Sequence, residues 1–205
     1  MNQRIIISDF DGVIGDSLRL ALIITKRIVD IFDNSEKINS FNDFYRLLGK
    51  QSELNNITEK ESNTLRELYR IIYRHSSNKI GLFTEVIEIY SNLNRKPVIV
   101  SSSYSDVIKR VLGNYQKLFD GIYGYDNGHK IEILQKLKDK HRYTYITDTA
   151  RDIIICRNIG VPVIATCWGY DSIEKIKVEK PDFLIRNFKE LNEFMITHNY
   201  FNKDK

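Results

Sequence analysis

Short apolar runs alternate with amphipathic segments along most of this chain, and that alternation restricts the folds open to it. Five runs are rich in β-branched and aromatic residues, and a sixth is weaker. They are RIIIS at 4–8, KPVIVS at 96–101, GIYGY at 121–125, YTYIT at 143–147, VPVIATCW at 161–168 and the weaker DFLI at 182–185. Helical periodicity separates the later runs, at 84–94, 104–113, 130–140 and 150–159. Strands that alternate with helices predict parallel βαβ units in a single sheet.

One region breaks the alternation. Residues 17–80 contain no convincing strand and indicate three helices, in SLRLALIITKRIVDIF, NDFYRLLG and ITEKESNTLRELYRIIYRH. We therefore expect an α/β core built from residues 1–16 and 81–205. A small helical domain, residues 17–80, is predicted to be inserted just after the first strand of that core.

Composition narrows the class of protein. The two cysteines, Cys156 and Cys167, lie in or beside apolar runs without metal-ligand spacing, so we expect reduced core residues. No apolar stretch approaches the ~20 residues of a membrane span, and IIIS at 5–8 is too short for a secretion signal. The net charge of +4 does not require a nucleic-acid partner. A soluble cytoplasmic protein without nucleic-acid or membrane partners is expected.

The first strand ends in two aspartates, within IIISDFDGVIGDS. Asp9 and Asp11 follow the strand at the edge where open α/β sheets bind ligands. Two carboxylates ~4 Å apart repel by about 4 kcal/mol at an effective dielectric near 20, so a proton or a cation between them is predicted. Taken alone, the pattern fits a purely structural explanation, with one capping aspartate and one solvated aspartate, as well as it fits a functional site.

Three further positions favour a functional site. Ser101, Ser102 and Ser103 follow a strand and precede a helix, where hydroxyls and free amides bind anions. Lys130 begins another predicted helix. By themselves, these would be read as ordinary capping and a surface lysine. Asp148 and Asp152, in YITDTARDI, form a second carboxylate pair at a second strand end. Oxygen ligands of this kind suit Mg²⁺.

These features form four motifs: Asp9 with Asp11, the serine run from Ser101, Lys130, and Asp148 with Asp152. In this order, they resemble the four motifs of the haloacid dehalogenase-like phosphatases. The tail GVPVIATCWGYDSIEKIKVEKPDFLI is similar to the phosphoglycolate phosphatase-like branch, and the helical insert resembles the cap domain of that branch. Family members often have glycine where this chain has Thr147, and proline where it has Ile131. The Pro-Gly pair that often marks re-entry from the cap is replaced by GLF.

The resemblance implies a Rossmann-like three-layer α/β core with an inserted cap, and a Mg²⁺-dependent phosphomonoester hydrolase. Asp9 would attack phosphorus to form an aspartyl-phosphate, and Asp11 would move the protons. The predicted phosphate ligands are Ser101, Ser102 and Lys130, and the predicted metal ligands are Asp9, Asp11, Asp148 and Asp152. The expected substrate is a small phosphorylated metabolite similar to phosphoglycolate.

Two other readings stay open. A sugar phosphomutase of the same fold would return the phosphoryl group to its substrate instead of to water. A non-catalytic regulatory domain that keeps the fold is the second alternative. Asp11 argues against the related dehalogenases, because a halide leaving group needs no proton.

The helical insert carries much of the positive charge. Residues 17–80 hold 11 Lys+Arg and 8 Asp+Glu, a net charge of +3. We therefore expect the insert to select the substrate, with Arg46 and Lys50 beside Gly49 as candidate contacts. A solvated basic surface is the simpler explanation for any single cation there. The sequence does not indicate an oligomeric state.

Overall fold

Six strands form one parallel sheet in the computed structural model, which describes residues 4–30 and 58–201. In chain order they are β1 (Ile5–Ser8), β4 (Val98–Val100), β5 (Gly121–Tyr123), β6 (Tyr143–Thr147), β7 (Val163–Thr166) and β8 (Phe183–Ile185). Two further strands, β2 (Gly15–Asp16) and β3 (Gly81–Leu82), pair antiparallel on their own. The order across the large sheet is β5-β4-β1-β6-β7-β8, and every neighbouring pair is parallel.

The predicted strands are present, and two of them begin two residues later than their apolar runs do. The run at 96–101 pairs only from Val98, and the run at 161–168 pairs only from Val163. A proline, Pro97 or Pro162, stands immediately before each of these starts. Proline has no amide hydrogen to donate to a strand ladder. Apolarity alone therefore overestimated the paired length.

Helices connect the strands and cover the sheet. They are α1 (Leu18–Asp30), α2 (Glu59–His75), α3 (Thr84–Ser91), α4 (Ser105–Leu112), α5 (Lys130–Lys140), α6 (Ala150–Ile159), α7 (Ile173–Val178) and α8 (Phe188–Thr197). Periodicity located α3 to α6 well, whereas α7 and α8 were not predicted. Within residues 4–30 and 58–201, no helix is long and apolar enough to cross a membrane.

The sheet is buried on both faces, because alternate strand residues enter two different cores. Ile6 packs in a cluster with side chains of α3, α4 and α8. Ile5 and Ile7 pack in a second cluster with side chains of α5, α6 and α7. This alternation follows from the two-residue period of a strand. The predicted three-layer, Rossmann-like α/β core is therefore confirmed.

The chain divides into two compact units, Met1–Asp16 with Gly81–Lys205, and Ser17–Ile80. In the second unit, α1 and α2 pack together. Helix α2 starts with a capping box, in which Thr58 and Glu61 exchange side-chain and backbone hydrogen bonds. Tyr69 and Tyr73 stack on its buried side with ring centroids 5.7 Å apart. The helix predicted in NDFYRLLG lies outside the described residues.

The β2–β3 pair marks the two places where the chain crosses between the units. Gly15 pairs with Leu82, and Asp16 pairs with Gly81. The Phe83 amide donates a further hydrogen bond to the Ile14 carbonyl at 2.9 Å. This short antiparallel pair was not predicted, since two-residue strands leave no periodicity to detect.

Candidate active site

Three neighbouring strands end at one edge of the sheet, and a predicted site residue follows each of them. Asp9 follows β1, Ser101 follows β4, and Asp148 follows β6. Along the large sheet, the chain runs outward from β1 to β5 and then returns to β6 on the other side of β1. Ligands of doubly wound sheets bind at such a reversal. Asp9 and Asp148 thus flank the position where this fold favours a ligand.

The Asp9 carboxylate is buried and held at both oxygens. Oδ1 accepts a hydrogen bond from the Phe10 amide at 2.8 Å, and Oδ2 accepts one from Lys130 Nζ at 2.7 Å. Burial raises the pKa of Asp9 to about 7, although the Lys130 ammonium opposes that rise. Asp152 raises the pKa of Asp9 more than Asp11 does. Asp152, which comes from a distant part of the chain, therefore repels Asp9 more strongly than its sequence neighbour Asp11 does.

Lys130 joins two carboxylates that come from distant parts of the chain. As the first residue of α5, it donates from Nζ to Asp9 Oδ2 and to Asp152 Oδ2, each at 2.7 Å. Its side chain is only 10% exposed. Burial lowers the pKa of Lys130, but Asp152 and Asp9 together outweigh that effect and raise it. The ammonium therefore places a positive charge between Asp9 and Asp152, whereas the cation expected from the sequence was one between Asp9 and Asp11.

The Asp152 carboxylate has additional support from strand β6. Asp152 Oδ2 also accepts hydrogen bonds from Thr147 Oγ1 at 3.2 Å and from the Tyr145 hydroxyl at 3.4 Å. Burial raises the pKa of Asp152, but the charge of Lys130 and the hydrogen bonds with Lys130, Asp9 and Thr147 outweigh that effect, so the net shift in pKa is downward. Thr147, the residue that replaces the glycine frequent in the family, thus contacts Asp152 directly. We call Asp9, Lys130, Asp152 and Thr147 the Lys130 cluster.

Asp11 lies in a different setting from Asp9. Phe10, between them, is fully buried, and Asp11 is only partly buried. The Ser103 hydroxyl donates a hydrogen bond to Asp11 Oδ2. The sequence places Ser103 in the run of three serines, but Ser103 was not predicted as a site residue. Its spacing of two residues from Ser101 is the signal that could have identified it. We call Asp11 and Ser103 the rim pair.

The other two serines occupy unlike positions. Ser101 is buried, and its hydroxyl accepts a hydrogen bond from the Ser103 amide at 3.2 Å. Ser102 is exposed. Both remain predicted phosphate ligands, Ser101 from within the loop and Ser102 from its surface.

The loop that follows β5 is hydrogen-bonded to residues 101–104, which we call the serine loop, and to the start of α4. Tyr125 donates its amide to the Ser103 carbonyl at 2.8 Å. Asp126 accepts from the Ser105 amide and the Ser105 hydroxyl, both at 2.6 Å. A Cβ on Gly124 would lie 2.3 Å from the Ser105 nitrogen, so only glycine fits this close approach. Backbone contacts between the two loops thus fix the start of α4.

Asp148 is fully buried and has one satisfied oxygen. Oδ2 accepts a hydrogen bond from the Tyr170 amide at 2.7 Å, whereas Oδ1 has no hydrogen-bond partner among the described residues. Burial, with a further contribution from the charge of Asp9, raises the pKa of Asp148 well above its ordinary value. A buried carboxylate oxygen without a donor requires a proton or a cation.

These residues fit a divalent metal ion that is bound by few protein side chains. Among residues 4–30 and 58–201, no three His, Cys, Asp or Glu side chains form a metal-binding group by themselves. Mg²⁺ does not require such a group, because it usually keeps several waters and binds one or two carboxylates plus substrate phosphate. The open oxygen of Asp148, close enough to Asp9 for their charges to interact, matches that pattern.

The two cap candidates, Arg46 and Lys50, lie outside the described residues. Trp168 packs against the core, with its ring centroid 4.7 Å from that of Phe188. The next residues, Gly169 and Tyr170, were not predicted to touch the site. Their contact with Asp148 is made by backbone, which leaves no side-chain pattern in a sequence.

Comparison with known proteins supplies the family. A family model described as haloacid dehalogenase-like hydrolase matches residues 6–166, which is more than half of the chain. The chain belongs to the haloacid dehalogenase-like hydrolases. The enzyme prediction is therefore confirmed at the level of a hydrolase. Members of this family generally use a divalent metal ion.

Individual relatives of this hydrolase are distant. A protein of Caldanaerobacter subterraneus subsp. tengcongensis, named "Putative pyrophosphatase PpaX", is 27% identical over 121 residues, which is 52% of this chain and 55% of that protein. The hydrolase thus matches about half the length of this curated relative.

Solved structures share the fold across nearly the whole chain. A predicted phosphatase from Clostridium acetobutylicum has a TM-score of 0.79 at 17% identity, with 96% of this chain and 100% of that chain covered. A predicted phosphoglycolate phosphatase from Haemophilus somnus has a TM-score of 0.71 at 17% identity, with 95% and 99% covered. At these identities, the likeness establishes the fold of the hydrolase.

Proposed function

We propose that this hydrolase cleaves phosphomonoesters of a small metabolite through an aspartyl-phosphate on Asp9. The observation that carries the proposal is the Asp9 carboxylate itself. It lies where the strand order reverses, is held by the Phe10 amide and by Lys130 Nζ, and has a second carboxylic acid two residues away. Relatives named as phosphatases and a pyrophosphatase support the same reaction class.

Asp9 is the proposed nucleophile. An Asp9 oxygen attacks phosphorus, and the bond from phosphorus to the ester oxygen breaks. Lys130 orients the carboxylate for this attack, and its positive charge offsets the negative charge that gathers on the phosphoryl oxygens. Burial removes water from around Asp9, which would otherwise solvate the carboxylate and weaken it as a nucleophile.

Asp11 is the proposed acid and base. It gives its proton to the departing alkoxide, and the resulting carboxylate then takes a proton from the water that hydrolyses the aspartyl-phosphate. The products are the alcohol and inorganic phosphate, and Asp9 is regenerated. Partial exposure suits this role, because Asp11 must exchange protons with water. The Ser103 hydroxyl holds one Asp11 oxygen throughout.

Ser101, Ser102 and Lys130 are the proposed phosphate ligands. The serine loop leads into the N-terminus of α4, an eight-residue helix. Such a terminus attracts an anion. The contacts of Tyr125 and Asp126 with this loop keep it in position before substrate arrives.

Mg²⁺ is the proposed cofactor, held by Asp9, Asp148 and the Asp11 backbone carbonyl, with Asp152 supporting the set. When bound, the ion would neutralise charge between Asp9 and the phosphoryl group. The hydrogen bonds of Asp152 to Lys130 and Thr147 favour an indirect role for that carboxylate. Asp148, with its open Oδ1, is the best-suited side chain.

Residues 17–80 are the proposed cap, which would set the substrate beyond its phosphate. With its net positive charge, this unit favours an acidic phosphoester such as phosphoglycolate, and Arg46 and Lys50 are its candidate contacts. If so, Arg46→Ala or Lys50→Ala raises KM for a carboxylated phosphoester and leaves aryl phosphate hydrolysis nearly unchanged. Unchanged kinetics on both substrates would reject these two residues.

The test of function is a panel of phosphorylated metabolites, together with an aryl phosphate, assayed with Mg²⁺ and with excess chelator. We expect release of inorganic phosphate with Mg²⁺ and its loss with chelator. Mass spectrometry after acid quenching should detect phosphate on the Asp9 peptide. A phosphosugar product without free phosphate would instead favour the phosphomutase, and no turnover on any substrate would favour a regulatory domain.

A further inference from the structure

The loop after β7 encloses the Asp148 carboxylate together with the loop after β1. A Cβ on Gly169 would lie 2.1 Å from Asp148 Oδ2 and 2.5 Å from its Cγ. A Cβ on Gly12, which has a φ of +73°, would lie 2.0 Å from the same Oδ2. Two glycines on separate loops therefore lie so close to this carboxylate that neither position has room for a side chain.

Backbone and side-chain contacts tie residues 168–171 to both neighbouring loops. Trp168 Nε1 donates to the Val13 carbonyl at 3.4 Å, which joins the loop to the segment after β1. The Asp171 amide donates to the Asp148 carbonyl at 3.3 Å. Asp171 Oδ2 accepts from the Ala150 amide at 2.8 Å, at the start of α6. The Asp148 backbone and side chain are thus both held by one four-residue segment.

The hydrogen bond from Tyr170 makes the two Asp148 oxygens unequal. Oδ2 accepts the Tyr170 amide at 2.7 Å, while Oδ1 is buried and has no hydrogen-bond partner among the described residues. A carboxylate in this state offers a single oxygen. Mg²⁺ accepts one oxygen per carboxylate in strict octahedral geometry, whereas Ca²⁺ also takes both oxygens of a carboxylate in larger, more flexible shells.

We propose that residues 168–171 form a positioning loop that presents Oδ1 alone of Asp148 to the metal ion. The loop thereby raises the affinity of the site for Mg²⁺ relative to Ca²⁺. The inference rests on the proposed function, because it assumes that Asp148 binds the metal of a phosphoester hydrolase. It extends that proposal to residues about 20 positions after Asp148 in the chain. These residues act through Asp148 and not by contact with the substrate.

The decisive experiment is calorimetric titration of the metal-free full-length protein with Mg²⁺ and, separately, with Ca²⁺. Gly169→Ala should weaken Mg²⁺ binding by about tenfold or more, in line with other residues that orient metal ligands. Ca²⁺ binding should weaken less, so the ratio of the two affinities falls. Gly81→Ala is the matched control, because its Cβ would meet nothing closer than 3.9 Å; it should leave both affinities unchanged.

A second pair of variants covers the case in which Gly169→Ala does not fold. Asp171→Ala removes the acceptor of the Ala150 amide and should also lower the ratio of Mg²⁺ to Ca²⁺ affinity. Lys175→Met, its control, removes only the half-exposed ion pair with Asp171 at 2.9 Å and should leave the ratio unchanged. Circular dichroism and the melting temperature of each metal-free variant establish that the fold is retained.

The outcomes separate this inference from the function on which it rests. Wild-type affinities in a folded Gly169→Ala or Asp171→Ala protein would overturn the positioning loop and leave the proposed function intact. Equal weakening for both ions would overturn the selectivity. A wild-type protein that binds neither ion would overturn the metal assignment of the proposed function and this inference with it.

Discussion

The Lys130 cluster and the rim pair each contain one aspartate of the D-F-D motif, yet they are built in opposite ways. Asp9 is 5% exposed and belongs to an interlocked set of charges that also includes Lys130 and Asp152. Asp11, two residues on, is partly exposed and is bound by the neutral hydroxyl of Ser103. A group that must form a bond benefits from rigidity and dryness, while a group that must exchange protons benefits from water nearby. The difference in burial therefore matches the roles proposed for Asp9 as nucleophile and Asp11 as acid and base.

The largest expected effect comes from Asp9→Asn. An amide is a far poorer nucleophile than a carboxylate, so we expect turnover to fall by at least about 10⁴-fold and the phosphoenzyme to disappear. Steady-state rates and acid-quenched mass spectrometry measure the two. A phosphoenzyme that persists in this variant would show that Asp9 is not the nucleophile.

Lys130→Met tests whether the cluster depends on its cation. It leaves Asp9 and Asp152 buried together without a positive charge, which should destabilise the fold by about 3–5 kcal/mol as well as lower turnover. Denaturant unfolding measures the first effect. Lys136→Met, an exposed lysine on the same helix, is the matched control.

A double variant sharpens the same comparison. Lys130→Met with Asp152→Asn removes the cation and one of the two carboxylates that its loss leaves unpaired. We expect much of the stability to return while turnover stays low. If the double variant is no more stable than Lys130→Met alone, the destabilisation does not arise from unpaired buried charge.

Asp11→Asn tests the rim pair. It should slow alkyl phosphate hydrolysis by roughly 10²–10⁴-fold and aryl phosphate hydrolysis much less, because an aryl leaving group needs less protonation. Ser103→Ala should lower both rates by a smaller factor, since it removes one hydrogen bond to Asp11 and keeps the carboxyl group. Equal losses on the two substrates would contradict an acid role for Asp11.

The smallest effect is expected from Thr147→Val. It removes one hydrogen bond to Asp152 at nearly constant volume, with an expected cost of about 1 kcal/mol in unfolding free energy. Thr147→Ser, which keeps the hydroxyl, should cost less. Wild-type stability in the valine variant would mean that Lys130 and Tyr145 suffice to hold Asp152.

Sequence reasoning located the carboxyl edge because its residues follow recognisable strands. Asp9, Ser101 and Asp148 each come directly after a β-branched run, and parallel topology then brings neighbouring strand ends together. The pairing of Lys130 with both Asp9 and Asp152 was not predicted. It depends on how α5 and α6 lie against the sheet, which periodicity does not report.

Contacts made by backbone were also beyond prediction. The Tyr170 amide on Asp148 and the close approach of Gly124 to the serine loop involve groups that every residue shares. Ser103 shows the same limit, since three consecutive serines look alike until the loop has a conformation. The sequence therefore predicts which edge of the sheet carries the site. Which side chains and backbone groups pair at that edge is seen only in the structure.

The β2–β3 pair has a consequence for how this protein can be remodelled. Because Gly15 pairs with Leu82 and Asp16 with Gly81, the chain leaves and re-enters the sheet-bearing unit through adjacent antiparallel strands. Facing residues in such a pair have Cα atoms about 4.5–5.5 Å apart, a gap that a two-residue hairpin turn closes. Residues 17–80 therefore occupy the place of a hairpin loop. We therefore expect an unrelated insert or a short turn to be accommodated at this junction without lengthening any strand of the large sheet.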